Sequence, residues 1–385
     1  MIRQTKGFSL IELLVVVGII MLVLGAAFET YLSMFKKSLP EQQKASAQAE
    51  TSIDIQLLVT DIKNAGFAMP KEAAVASKNN LTQAEAKVWQ QISNSDWNKY
   101  SHLEGTDRLY LADATQIFED FSDDCTEVGN ISLNDYARIV MSKLQGSVGF
   151  HAKLTADAQE GDSSISVDTP DIDGNANQCE CTGACTAKTS CDATTRKDKD
   201  CDFRANKAVI IVDTNAKQIE GRRISGQHDK TSTTIEFKSG ETLEHDYSKN
   251  SSYVVPAICY WPGVPTENSP FYGQPQVFTL YRNSDPYIDG VEDFQVQYGY
   301  DKDGNGALEW YDEIDLNYSL QAIWIGLVIR LPHRQRQIVD NREQIELYDP
   351  GQNQVHQYEL TDEMKHYYRR IYTITIYPRN IHAVD

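Results

Sequence analysis

Phe8–Phe28 is a run of 21 residues with one charged side chain, Glu12, behind a short basic head containing Arg3 and Lys6. As a helix rising ~1.5 Å per residue it spans ~30 Å, the thickness of a bilayer core. The run is longer than the apolar part of an ordinary secretory signal. Gly7-Phe8 also stands before it, where a signal would place a small-residue cleavage site after it. The basic head marks the cytoplasmic side, so the chain beyond residue 28 is expected across the inner membrane. A carboxylate in such a segment costs ~2.5–3.5 kcal/mol, which makes Glu12 a functional candidate. It lies close enough to Phe8 to accept the amino group of a neighbouring chain cut after Gly7, a group that needs an acceptor once buried in apolar surroundings.

Beyond the run the pattern stays helical and turns amphipathic. Ile55, Leu58, Ile62 and Ala65 share one helical face, and Gly66 is a helix stop. Ser38-Leu39-Pro40-Glu41 reads as a capping box with proline in the first turn, so a break and restart is expected at Pro40. Thr82-x-x-Glu85 is a second capping box, opening a short helix over 82–93. After Asp107 the text is strand-like: 108–111, 164–167, 208–212, 233–237, 294–298, 322–331 and 370–376 are β-prone runs, most divided by Gly, Asp, Asn and Ser. The fold class is therefore α+β. A long N-terminal helix, half membrane-spanning (8–28) and half amphipathic (29–66), packs on an antiparallel β-sheet within 67–385 that carries large insertions.

Asp301-Lys302-Asp303-Gly304-Asn305-Gly306-Ala307-Leu308-Glu309-Trp310-Tyr311-Asp312 has the spacing of a calcium loop. Asp301, Asp303 and Asn305 offer side-chain oxygens at positions 1, 3 and 5, and Gly306 allows the sharp turn. Ala307 offers its carbonyl, with Glu309 and Asp312 at positions 9 and 12. Position 12 is Asp where a bidentate Glu is usual, and the flanks read as strands. A structural Ca²⁺ in 301–312 fits better than a sensor; a polar hairpin rich in Asp-Gly and Asn-Gly is the alternative. Asp171-Ile172-Asp173-Gly174-Asn175-Ala176-Asn177 is a weaker echo that reads as a solvated loop.

Of seven cysteines, Cys179, Cys181, Cys185, Cys191 and Cys201 crowd an insertion at about 171–203, while Cys125 and Cys259 stand apart. The spacing matches no paired C-x₂-C zinc pattern, so disulfide stapling in an oxidising compartment is the expectation. The odd count leaves at least one thiol free or joined to another chain. With 36 Lys+Arg against 55 Asp+Glu the net charge is −19, which excludes a nucleic-acid groove. No nucleophile elbow, phosphate loop, dinucleotide fingerprint or H-E-x-x-H occurs, so no enzyme is expected.

The string Lys6-Gly7-Phe8-Ser9-Leu10-Ile11-Glu12-Leu13 resembles the leader junction of type IV pilins and type II secretion pseudopilins. The resemblance implies that a prepilin peptidase removes residues 1–7, cutting between Gly7 and Phe8, and methylates Phe8. It also implies that Glu12 serves filament assembly. Leu57–Phe67, Gly290–Asp301 and Tyr372–Asn380 resemble the helix end, the strand-and-turn signature and the last strand of PilW-like minor pilins. The resemblance implies a pilin fold and a non-catalytic minor pilin that helps initiate type IV pilus assembly at or near the tip. Its partners would be other minor pilins, the major pilin, the peptidase and a large tip adhesin. It would pass from the inner membrane to the extracellular pilus. Two alternatives are a J-type pseudopilin of a type II secretion system and a calcium-dependent adhesin on a pilin stalk. Residues 120–255 carry little of the resemblance.

Overall fold

The computed structural model describes residues 10–67, 69–78, 82–90, 97–112, 149–168, 203, 207–225, 233–332, 334–335 and 337–379. The chain divides into two compact units, Met1–Ile55 and Gln56–Asp385.

Helix α1 runs Leu10–Asn64 without interruption, so the break expected at Pro40 is not formed. Proline removes one N–H and crowds the preceding turn, at ~3 kcal/mol in a helix interior. Intact helix on both sides carries α1 through that local loss. The described residues of the first unit all belong to this helix, and its apolar residues from Leu10 to Leu24 are exposed wherever a side chain is described. At the far end Gly66 stops the helix as expected. Its φ is +75°, and a Cβ there would sit 2.6 Å from the Ala74 Cβ. Only glycine satisfies both constraints.

Among the described residues of the second unit every strand pair is antiparallel. Its strands are β1 (Val75–Lys78), β2 (Arg108–Ala112), β3 (Ala152–Lys153), β4 (Ser164–Ser166), β5 (Ala208–Asp213), β6 (Gln218–Arg223), β7 (Thr234–Glu236) and β8 (Ser252–Gly263). They continue with β9 (Phe278–Arg282), β10 (Asp285–Tyr300), β11 (Glu309–Tyr311), β12 (Leu320–Arg330), β13 (Gln344–Tyr348), β14 (Gln354–Glu359) and β15 (Arg369–Ile376). The main sheet is ordered β1-β2-β8-β9-β10-β12-β15, with β11 beside β10, β3 and β5 beside β8, and β6 beside β5. Helix α2 (Gln83–Gln90) forms behind the expected cap, and α3 (Trp97–Tyr100) follows. The Thr82 amide donates to Glu85 Oε2 at 2.8 Å, and the Glu85 amide to Thr82 Oγ1 at 3.4 Å.

Registry fixes the faces. In β12, Ile323, Ile325, Leu327 and Ile329 alternate with Trp324, Gly326 and Val328. Trp324 and Val328 pack under the separate β13–β14 hairpin with Ile345, Leu347, Leu360 and Met364. Within the second unit, the last turns of α1 bury Leu58, Ile62 and Ala65. Asp61 ties them to the sheet: its Oδ2 accepts from the Tyr260 hydroxyl at 2.5 Å and from Arg282 Nε at 2.8 Å. A larger apolar core around β5, β8 and the β4–β7 pair holds Tyr110, Ile210, Val254, Cys259 and Trp261.

Candidate functional site

Residues 301–308 link β10 to β11, and the 301–312 segment takes in β11 itself. Glu309 pairs in register with Tyr300 and Tyr311 with Tyr298, so the loop caps a short hairpin. Gly304 and Gly306 take φ of +72° and +83°, with open space where a Cβ would stand. The acidic residues fold inward on the loop's own donors. Asp301 Oδ2 accepts the Gly306 amide at 3.0 Å, and Asp303 Oδ1 accepts the Asn305 amide at 3.2 Å. Asn305 Oδ1 accepts the Ala307 amide at 2.6 Å. Asp301 Oδ1 is buried and has no hydrogen-bond partner.

Glu309 and Asp312 are engaged elsewhere. Glu309 Oε2 accepts from the Tyr311 hydroxyl at 2.5 Å, and Asp312 Oδ1 accepts from Gln297 Nε2 at 2.8 Å. The loop thus brings Asp301, Asp303 and Asn305 together and leaves position 9 on β11 and position 12 just beyond it. Among the described residues no three His, Cys, Asp or Glu side chains stand together as a metal-ligand group.

Lys302, which has no role in the calcium-loop spacing, anchors the loop. Its ammonium lies 3.9 Å from the Tyr311 ring centroid and 4.6 Å from that of Tyr318, and donates to Asp315 Oδ2 at 2.9 Å. Burial works against the Asp315 charge. The bonds from Lys302 and Asn317, with the Lys302 charge, outweigh it and hold that carboxyl below its ordinary value.

A second polar cluster lies under the sheet's other end. Glu292 on β10 takes the Arg369 guanidinium through Nε at 2.5 Å and Nη2 at 2.9 Å, and the Tyr358 hydroxyl at 3.0 Å. Arg330 Nε stands 3.5 Å from Glu292, and the Glu292, Arg330 and Arg369 side chains are at most 3% exposed. Beside them His356 Nδ1 meets Asp293 Oδ2 at 2.8 Å, latching β14 to β10. Burial alone would lower the His356 pKa. The hydrogen bond to Asp293 and the charges of Asp293 and Asp107 outweigh it, so the imidazolium is favoured.

The family of the prokaryotic N-terminal methylation motif matches residues 2–28. The family described as type IV pilus-assembly protein W matches residues 276–380, which hold β10, the aspartate loop, β12, the β13–β14 hairpin and β15. This chain is a type IV pilin-like protein. No curated protein matches the pilin over its sequence. Among solved structures, a type IV-like pilin from Thermus thermophilus shares 10% identity, covers 32% of this chain and 79% of its own, and superposes with a TM-score of 0.19. That score is too low to bear on the fold.

Leu13–Leu32 of the pilin is one helix long and apolar enough to cross a membrane, 20 residues at a mean hydropathy of 2.5 with none of it buried. Gly7 and Phe8 lie outside the described residues, as do Cys125, Cys179, Cys181, Cys185, Cys191, Cys201 and the 171–177 loop. Glu12 lies within α1. Cys259 is buried with a free thiol, which burial pushes up to about 12 despite the nearby Arg223, so it stays protonated and unreactive at neutral pH. No sequence motif assigns a role to Glu292, Asp293, Arg330, His356 or Arg369. One signal was there to be read: two adjacent acids, Glu292 and Asp293, within an otherwise strand-forming run require buried partners.

Proposed function

We propose that the pilin is a minor subunit of a type IV pilus that helps initiate assembly and resides at or near the tip. The single observation that carries this reading is the pairing, on one chain, of the methylation motif over 2–28 with the pilus-assembly W family over 276–380. An exposed apolar helix gains by packing against like helices once it leaves lipid, and the globular part then sets the order of subunits. Other minor pilins, the major pilin, a prepilin peptidase acting at Gly7-Phe8 and a tip adhesin are its proposed partners. The route runs from the inner membrane, with the C-terminal domain on the periplasmic side, to the extracellular pilus. Glu12 is proposed to receive the methylated amine of the adjoining Phe8.

The test is a strain lacking this chain, complemented with wild type or Glu12→Ala. Few surface pili in the null, restored by wild type only, with immunogold label at pilus ends, is the expected outcome. Normal pilus numbers in the null, or label along the whole shaft, would sink the proposal. A secretion defect with normal pili would assign the chain to a pseudopilus.

A second reading concerns the loop. We infer that Asp301, Asp303, Asn305, the Ala307 carbonyl, Glu309 and Asp312 take a structural Ca²⁺. The partnerless buried Asp301 Oδ1 favours this reading, because a buried carboxylate oxygen left without a donor is costly. Binding requires Glu309 and Asp312 to leave Tyr311 and Gln297. Isothermal titration of the detergent-solubilised protein with calcium tests it, and an absence of heat would leave a self-bonded hairpin. An adhesive role on a pilin stalk has only this loop in its favour.

A further inference from the structure

The main sheet ends differently at its two edges. At one edge β1 is four residues long, and Val75 and Ala76 are buried. At the other, β15 runs eight residues in unbroken register with β12 from Ile323↔Ile376 to Arg330↔Arg369, and no further strand pairs with it among the described residues. Exposed edges are normally blunted by inward charges, proline or a bulge, because their free N–H and C=O groups template pairing with other chains. Ile371-Tyr372-Thr373-Ile374-Thr375-Ile376 has no charge, proline, glycine or bulge. Ile371 is 39% exposed, Thr373 is exposed, and Tyr377 is 59% exposed just beyond the strand. The edge is also held firmly. The Arg369 guanidinium grips Glu292, and the Arg379 amide donates to the Lys63 carbonyl at 3.1 Å, in the last turn of α1.

Along the edge strand and its flanks in sequence the charge is inverted relative to the whole chain. Residues 364–379 contain four basic side chains and no acidic one, in a chain of net charge −19. Lys365 and Arg369 are spent on Glu343 and Glu292. Arg370 and Arg379 are exposed and make no ion pair among the described residues.

We propose that the β15 edge is a strand-addition site for an extended segment of a partner protein, apolar and β-branched at its centre with carboxylates at its ends. Main-chain hydrogen bonds along Ile371–Ile376 supply the binding, and Arg370 and Arg379 select acidic termini. A second copy of this acidic chain is disfavoured by its own net charge.

The test uses the full-length protein in detergent and two synthetic peptides with the same alternating Val-Thr centre, one ended by Glu and one by Lys. Hydrogen–deuterium exchange should show the Glu-ended peptide protecting β15 amides. The Lys-ended peptide should bind about tenfold more weakly, as two exposed ion pairs are lost. Arg370→Glu with Arg379→Glu should reverse the preference, and Ile371→Lys with Thr373→Lys should abolish both. Absence of β15 protection, equal binding of the two peptides, or protection at another edge would overturn the proposal. So would β15 protection rising with protein concentration alone, which would assign the edge to a second copy.

Discussion

Glu292 and the aspartate loop sit at opposite ends of the buried stretch of β10, and their carboxylates live by opposite rules. Glu292 is sealed, and its oxygens are taken by Arg369 and Tyr358, with Arg330 close by. Asp301 and Asp303 are bonded to amides of their own turn, and Glu309 and Asp312 to two neighbouring side chains. A carboxylate whose partner is a buried cation cannot change partner without stranding that cation. One whose partners are local N–H groups can be re-partnered at small cost. Strand β10 therefore joins a fixed electrostatic anchor to an exchangeable one.

The sharpest way to break this contrast is Glu292→Ala. It leaves Arg330 buried without its anion and Arg369 with only Asp340, 3.6 Å away, at an expected ~3–5 kcal/mol. Denaturant unfolding should show a lower midpoint, and Glu292→Gln should recover only part of it. An effect under ~1 kcal/mol would mean that water or other acids replace Glu292 readily.

The next effect belongs to the other end. Calcium at about 100 times its Kd should add ~2.7 kcal/mol, read as a higher Tm in calcium than in chelator. Asp301→Ala with Asp303→Ala should remove that difference while leaving the chelator Tm nearly unchanged, since those carboxylates hold only their own turn. An identical Tm with and without calcium in the wild type would abolish the exchangeable half of the comparison.

The smallest effect is the pH response of His356, which joins the hairpin to the fixed end. Its folded pKa is raised, so its stabilisation is complete below the unfolded value of about 6.5 and is lost as pH rises through the folded value. Stability should therefore decline above about pH 6.5. The slope should stay below ~1.4 kcal/mol per pH unit, the limit for a single proton, and His356→Gln should flatten it. An unaltered slope would place the titrating group elsewhere.

Much of this was legible in the chain because local rules and tertiary structure agree. The Thr82–Glu85 cap, the Gly66 stop and the runs that became β2, β5, β12 and β15 carry signals within a few residues. Strand β8 was missed because Pro256 and Pro262 argue against a central strand. Pro256 lies opposite Val209 of β5 on one side of the strand and, on the other, falls between the stretches paired with β3 and with β2. The β13–β14 hairpin was missed because exposed polar residues dilute its alternation. The loop 301–312 announced itself by spacing, but not that Gln297 and Tyr311 would take the oxygens at positions 12 and 9. Asp61 stood in the recognised helix-end motif, yet its partners Tyr260 and Arg282 lie 199 and 221 residues away. No local pattern reports such a distance.

The bond from the Arg379 amide to the Lys63 carbonyl sets an order of events. The helix is made first, and this clasp on its end becomes available only after every strand of the main sheet has been synthesised. Until the final strand emerges, the Leu58, Ile62 and Ala65 face has no completed seat, and such long-range closure is slow. A prematurely terminated chain would keep its apolar helix and lack that clasp. The end of the helix is thereby clasped only in a chain that has made and paired the edge strand of its sheet.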